Sequence, residues 1–394
     1  MKITVPTIDF GTSKIVTMVA QSNGERCDIV GSGAVPYSGY LQDGWNNPDE
    51  IRDVIRTAID QAQKTGNCRI HELNVGVPGM FTRVIVKEVH VSLTGPDPHV
   101  TAQDVRACFK LAEESGGDRI IHSAPAWFRV DDGKKTLSPV GIKGRELSAM
   151  IALVTADKYF IDDITYRLRD MDIEPREFYS TVAGEATYAL SQDERDKTAM
   201  LIDIGYLCTD VMVMEGDALI FHKCLDIGGG HISADIAEQL NIPFPFVEEK
   251  IKQTYSFNST NQDETYVIPA TEDEPARTVR RDEVTPIIEA KVEEIAEAIN
   301  KALEEGGVKL GKWSNVYLTG GGLLLNKGGK DFLAGKLHRI IREAQRTNNK
   351  MTSHVFSSAV GLTILVVTTQ EEQKAPEGGA KGLFSRAFRW LMGY

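Results

Sequence analysis

Apolar and polar positions repeat one plan twice along this chain. Near the N-terminus, residues 3–10 (ITVPTIDF), 14–20 and 27–35 read as three strands, with Asn23-Gly24 as the hairpin turn between the second and third. Residues 200–205, 209–214 and 218–224 repeat the arrangement, and Glu215-Gly216-Asp217 reverses the chain. The first strand of each copy ends on Asp-x-Gly, as Asp9-Phe10-Gly11 and as Asp203-Ile204-Gly205. The spacing therefore predicts two equivalent antiparallel sheets in one α/β chain.

Between and after these copies the apolar period changes to that of helices. Ile51, Val54, Ile55, Ala58 and Ile59 form an i, i+3, i+4 stripe after a Gly- and Asn-rich loop at 36–48, with Asn47 and Pro48 as cap and first-turn residue. Residues 73–78 return as a strand. From 84 to 158 the pattern is a strand at 84–93, a helix capped by Thr101 with Val105, Cys108, Phe109 and Ala112 on one face, and strands at 119–130 and 146–154. One helix on a small sheet is expected there. Helices are expected at 157–170 and 180–190, after Gly228-Gly229-Gly230 on Ile232, Ile236, Ala237 and Leu240, and on the stripe Ile288, Val292, Ile295, Ile299, Leu303. Residues 241–281 read as helical, then polar and irregular.

Composition narrows the partners. A chain of 394 residues has room for about two or three domains, and 42% hydrophobic with 25% charged residues is ordinary for a globular protein. The formal charge of -12 excludes nucleic acid as a main partner, because phosphate binding over a large surface needs a basic excess. Cys27, Cys68, Cys108, Cys208 and Cys224 show neither CxxC nor a ligand spacing with histidine, so buried reduced thiols are expected. The chain contains no secretory core and no apolar run of about 18 residues, so it reads as cytosolic.

The chemistry lies at the repeated hairpins. A carboxylate at a strand end followed by glycine in a tight turn brings an acid and backbone N–H groups together at a sheet edge. Two such hairpins can clamp the phosphates of a nucleotide, with Asp9 and Asp203 holding Mg²⁺ through water. Gly228 to Gly230, just before a helix, predict exposed amides pointing back at the sheet end, an anion-binding arrangement. The far C-terminus adds a second theme. After a flexible linker at 368–380, Leu383, Phe384, Ala387, Phe388, Trp390 and Leu391 share one side of a helix, with Ser385, Arg386 and Arg389 opposite. Large apolar groups backed by arginine read as an interfacial membrane anchor, each of the former contributing roughly 1.5 to 3 kcal/mol when fully buried. Docking of this tail on the body of the protein is the other reading.

IDFGTSK (8–14), IDIGYLCTD (202–210), VYLTGGG (316–322) and FSSAVGL (356–362) together resemble the actin, Hsp70 and sugar-kinase superfamily and, within it, the bacterial cell-division family FtsA. The resemblance spans nearly the whole chain. It implies an actin-like fold of duplicated RNase H-like domains with an FtsA-type inserted subdomain. Residues 1–83 and 159–196 would form the first nucleotide-binding lobe, 84–158 the insert that makes head-to-tail filament contacts, and 197–240 with 305–367 the second lobe, closed by FSSAVGL. Residues 241–304 would be a helical partner-binding subdomain, 368–380 a linker and 381–394 the membrane helix. ATP would lie between the lobes on Asp9, Gly11, Thr12, Ser13, Lys14, Asp203, Gly205, Gly229, Lys252, Gly320 and Gly321, with Mg²⁺ on Asp9 and Asp203.

Several residue roles follow from the same resemblance. Glu185 matches a polar residue that orients the water attacking the γ-phosphate, or is a surface acid. Glu249, Lys250 and Lys252 match charged contacts to the adenosine, or a solvated helix face. Arg277, Arg280 and Arg281 come together as a carboxylate receptor for the acidic C-terminal peptide of the tubulin-like protein FtsZ, or form a charged loop. The implied function is an ATP-binding, filament-forming protein that tethers the FtsZ ring to the inner face of the cell membrane. A scaffold like the pilus-assembly protein PilM and a sugar-kinase-type phosphotransferase are the alternatives. One departure stands out: Tyr206 and Leu207 replace the later glycines of the second phosphate loop, and Cys208 its usual threonine. DIGGGH at 226–231 spells that loop better but follows the third strand, so its position assigns it elsewhere.

Overall fold

A computed structural model describes residues 3–24, 26–41, 44–114, 117, 119–261, 263–270, 275–311, 314–344 and 353–373. Two compact units emerge, one of Met1–Leu201, Met212–His222 and Gln345–Tyr394, the other of Ile202–Val211 and Lys223–Ala344. The expected membrane helix at 381–394, with Leu383, Phe384, Arg386, Phe388, Arg389, Trp390 and Leu391, lies outside the described residues. No helix among the described residues is long and apolar enough to cross a membrane.

The first unit is built on β1 (Ile3–Phe10), β2 (Lys14–Ser22) and β3 (Cys27–Pro36), the antiparallel meander that alternation predicts. Two parallel strands extend it, β6 (Glu72–Val77) and β10 (Glu174–Ser180), in the order β10-β6-β1-β2-β3. Strand alternation divides its side chains between two faces. Ile8, Phe10, Ile15 and Val19 pack with α1 (Ile51–Gly66) and α3 (Lys158–Arg169), whereas Val5, Val16, Met18 and Ala20 pack with α10 (Ser357–Gln373). Asp9 has the parity of Val5 and so faces α10.

Five expectations are corrected here. α1 starts at Ile51 with Glu50 as its N-cap, so Asn47 and Pro48 belong to the preceding turn. The loop at 36–48 holds a small hairpin, β4 (Tyr40–Leu41) and β5 (Gly44–Trp45), which buries Trp45 among Phe10, Tyr40, Phe81 and Phe160. β10 was not expected, because EPREFYS is an edge strand whose Glu174, Arg176 and Glu177 remain outside the core. FSSAVGL does not close the second lobe. It begins α10, which lies on the first sheet, and residues 368–373 of the expected linker are its last turns, with Thr368 and Gln370 buried. α4 (Thr181–Ala189) meets α10 where Gly184 and Gly361 remove side chains, and a Cβ on Gly361 would sit 2.6 Å from the Glu185 Cα.

The insert has the expected form. β7 (Thr82–Ser92), β8 (Ile120–Val130) and β9 (Glu146–Ala156) make a three-stranded antiparallel sheet in the order β7-β9-β8, and α2 (Ala102–Glu114) covers it with Cys108 and Ala112 buried. Thr101 and Asp104 cap α2 reciprocally, with Thr101 N donating to Asp104 Oδ2 at 2.8 Å and Asp104 N to Thr101 Oγ1 at 3.3 Å. The short α5 (Gln192–Arg195) follows α4.

The second copy forms β11 (Ala199–Ile204), β12 (Thr209–Glu215) and β13 (Ala218–Leu225), joined by β16 (Asn315–Thr319) and β17 (Ile341–Glu343) in the order β13-β12-β11-β16-β17. The rest of the second unit is α6 (Gly229–Gln239), a turn at α7 (Phe244–Phe246), a π-helical turn at Val247–Lys252, a small hairpin of β14 (Thr265–Ile268) and β15 (Arg277–Arg280), α8 (Arg281–Glu305) and α9 (Gly329–Leu337). α8 buries Ile288, Val292, Ile295, Ile299 and Leu303, the predicted stripe.

Candidate nucleotide-binding site

In the first unit the turn after β1 is closed by Gly11 N donating to Lys14 O at 3.0 Å. Asp9 is 3% exposed and accepts a hydrogen bond from Ser358 Oγ on α10 at 2.7 Å. Burial pushes its carboxyl above the usual range, against the pull of Ser358, the Lys14 charge and Thr181. Thr12 is buried, Gly11, Ser13 and Lys14 are half-buried, and the Lys14 ammonium lies 5.3 Å from the Phe356 ring centroid. Ser358 lies in the FSSAVGL stretch, but only the placement of α10 brings it to Asp9. Glu185 is 1% exposed inside α4, which rules out a surface acid.

The second unit repeats this turn. Gly205 N donates to Cys208 O at 2.9 Å, so Asp203, Gly205, Tyr206, Leu207 and Cys208 take the places of Asp9, Gly11, Thr12, Ser13 and Lys14. Two glycine stretches close on this hairpin. Gly229 N donates to Gly205 O at 2.9 Å and Gly230 N to Tyr206 O at 2.7 Å, while Gly322 N donates to Ile204 O at 2.7 Å. The expected open amides at the start of α6 are thus spent on the hairpin's own carbonyls, and Gly228 N donates to His231 Nδ1 at 3.1 Å. This corrects the anion-binding reading of that helix terminus. DIGGGH packs against the second hairpin and does not form it, as its position implied. Gly320 has φ 87°, and a Cβ there would lie 2.0 Å from Asp203 Oδ1. Gly321 is half-buried beside it.

Lys252 completes this half. Its ammonium donates to Gly229 O at 2.6 Å, pairs with Glu248 at 3.3 Å and lies 5.6 Å from the Tyr206 ring centroid. Burial lowers its pKa and Glu248 opposes the shift. Glu249 and Lys250 point to solvent, so the π-helical turn presents Lys252 alone of the three to the glycine loops. Asn326, which no pattern marked, ties that turn down by donating to Lys252 O at 2.6 Å and Tyr255 O at 3.0 Å.

The three arginines do not converge. Arg277 caps the end of α6 by donating to Leu240 O at 2.6 Å and to Asn241 O. Arg281 is 3% exposed, pairs with Glu264 at 3.0 Å, donates to Ser256 O at 2.6 Å and stacks 4.3 Å from the Tyr255 ring. Only Arg280 is exposed, in a bidentate pair with Asp282. Alternation along β15 separates Arg277 from Arg280, and Arg281 is the first residue of α8.

Comparison with known proteins bears on the whole arrangement. The profile of the family "Cell division protein FtsA" matches residues 200–361, and that of the "SHS2 domain inserted in FTSA" matches residues 79–155. By both profiles the chain resembles the FtsA family. Cell division protein FtsA of Pseudomonas aeruginosa is 24% identical over 98% of this chain and 97% of its own length, and that of Bacillus subtilis 26% identical over 76% and 70%. The fold is actin-like. A PilM-PilN type IV pilus biogenesis complex superposes with a TM-score of 0.62 at 17% identity, covering 93% of this chain and 99% of the other. MreB5 of Spiroplasma citri bound to ADP gives 0.53 at 12% identity over 95% and 99%, and its AMPPNP-bound form gives 0.54 at 11% over 94% and 98%. The FtsA-type insert is the α2-covered sheet of β7, β8 and β9.

Proposed function

We propose that this FtsA-like chain binds ATP with Mg²⁺, forms filaments and tethers the FtsZ division ring to the inner face of the cell membrane. The observation that carries the nucleotide reading is the repeated turn, Gly11 N to Lys14 O and Gly205 N to Cys208 O, each following a strand-end aspartate. The residues fit the cofactor. Burial of Asp9 disfavours its charge, a cost that a cation offsets, and the glycine cradle is too tight for any side chain. Asp9 and Asp203 would hold Mg²⁺, which would neutralise the phosphate charge of the bound nucleotide. Gly11, Thr12, Ser13, Lys14 and Gly205 would meet the phosphates, and Gly229, Lys252, Gly320 and Gly321 the nucleoside. Lys252 is already desolvated and directed at Gly229. Glu185, buried in α4, is the proposed positioning acid for water.

The partners follow family lines. The insert is the proposed filament contact, the C-terminal residues Leu383, Phe384, Arg386, Phe388, Arg389, Trp390 and Leu391 the anchor on anionic membrane, and the FtsZ C-terminal peptide the division-ring partner. Arg277 and Arg281 are committed internally, so Arg280 is the guanidinium that a peptide carboxylate can reach. Sedimentation with anionic liposomes, ATP and FtsZ tests the reading: the full chain should carry FtsZ into the pellet, and deletion of residues 381–394 should leave both in solution. A full chain that ignores vesicles at polymerising concentrations would overturn the tether and favour a phosphotransferase.

A further inference from the structure

Directly beneath the second hairpin, Cys208, Asp210 and Cys224 bring two sulfurs and a carboxylate oxygen within 4.8 Å of one another. Their convergence is a product of sheet geometry. Cys208 and Asp210 are two residues apart along one extended segment and therefore share a face, while Cys224 arrives from β13. Spacing along the sequence cannot show such a set, since fifteen residues and a hairpin separate Cys208 from Cys224. Cys208 is 7% and Asp210 9% exposed, and Cys224 is half-buried.

We propose that Cys208, Asp210 and Cys224 form a binding site for a thiophilic divalent cation of the zinc class. Two sulfurs and one carboxylate suit zinc, and three protein ligands leave a fourth position for water. Binding of a dication would release the thiol protons, since thiolate is the ligand form. Metal there would fasten β13 to the segment that carries the hairpin, one residue's backbone from the Gly205 N to Cys208 O bond. The site adjoins the turn on which the nucleotide reading rests, and it is testable with metal alone.

The test is a Co²⁺ titration of the reduced, chelator-treated full chain, followed by absorption in the thiolate-to-cobalt region. One Co²⁺ per chain with an intense thiolate band, displaced by Zn²⁺, is expected. Cys224→Ser should abolish most of the band, and Asp210→Asn should weaken affinity by roughly tenfold or more while keeping it. Circular dichroism of each metal-free variant establishes that it is folded. A folded wild type with no thiolate band overturns the site, as does a band that survives Cys224→Ser. A Cys208–Cys224 disulfide formed in air with no metal uptake by the reduced protein also overturns it.

Discussion

Gly320 shows how single positions limit the second hairpin. Its φ of 87° lies in the left-handed region, and a Cβ would sit 2.0 Å from Asp203 Oδ1. Gly320→Ala should destabilise the chain by about 1–3 kcal/mol in denaturant titration and weaken Mg-ATP binding in calorimetry, because the carboxylate must move. Asp9 carries the opposite balance. Its raised pKa means that ionisation is disfavoured in the fold. The cost is absent below the ordinary value of 3.8, grows as pH rises toward the folded value, and is complete above it. Asp9→Asn should therefore raise the unfolding midpoint of nucleotide-free protein at neutral pH, with the gain vanishing in strong acid, and should weaken Mg-ATP binding. An Asn variant less stable than wild type at neutral pH would show that the carboxylate is held by more than Ser358, Lys14 and Thr181.

Among the elements, the β12–β13 turn depends on one buried arginine. Arg195 at the end of α5 is fully buried, pairs with Asp217 at 3.1 Å, and donates to Gly216 O at 3.1 Å, Leu190 O at 2.6 Å and Gln192 Oε1 at 2.7 Å. Removing one partner of a buried pair leaves the other uncompensated, so Arg195→Ala should cost about 3–5 kcal/mol in equilibrium unfolding. The turn also presses on the insert, with Asp217 N donating to Pro125 O at 3.1 Å and Gly216 at φ 59°. Glu215-Gly216-Asp217 was legible as a turn because glycine and aspartate mark such reversals. Its docking was not, since Arg195 reads as an ordinary surface cation in a run of charged residues. Likewise the polar edge strand β10 escaped periodicity, while α8, with its long apolar stripe, did not.

For the molecule as a whole, the second hairpin sets the expected rate. Tyr206 and Leu207 occupy the turn where the first hairpin has Thr12 and Ser13, and the Tyr206 carbonyl is engaged by Gly230 N. Phosphate release from ATP by wild-type protein should stay below about 1 s⁻¹, the low end of ordinary enzyme rates; a faster steady state would show that the bulky turn still reaches the γ-phosphate. What the sequence by itself determined was the duplication: strand alternation, turn glycines and Asp-x-Gly are local properties, and they placed both hairpins, the insert and the long helix. Only tertiary structure decided that α10 covers the first sheet, that Ser358 reaches Asp9, and that Lys252, unlike Glu249 and Lys250, turns inward. It also directed Arg277 and Arg281 into internal bonds and drew Cys208, Asp210 and Cys224 together. These depend on which distant segments share a face, and burial rewards that pairing without leaving a period in the chain.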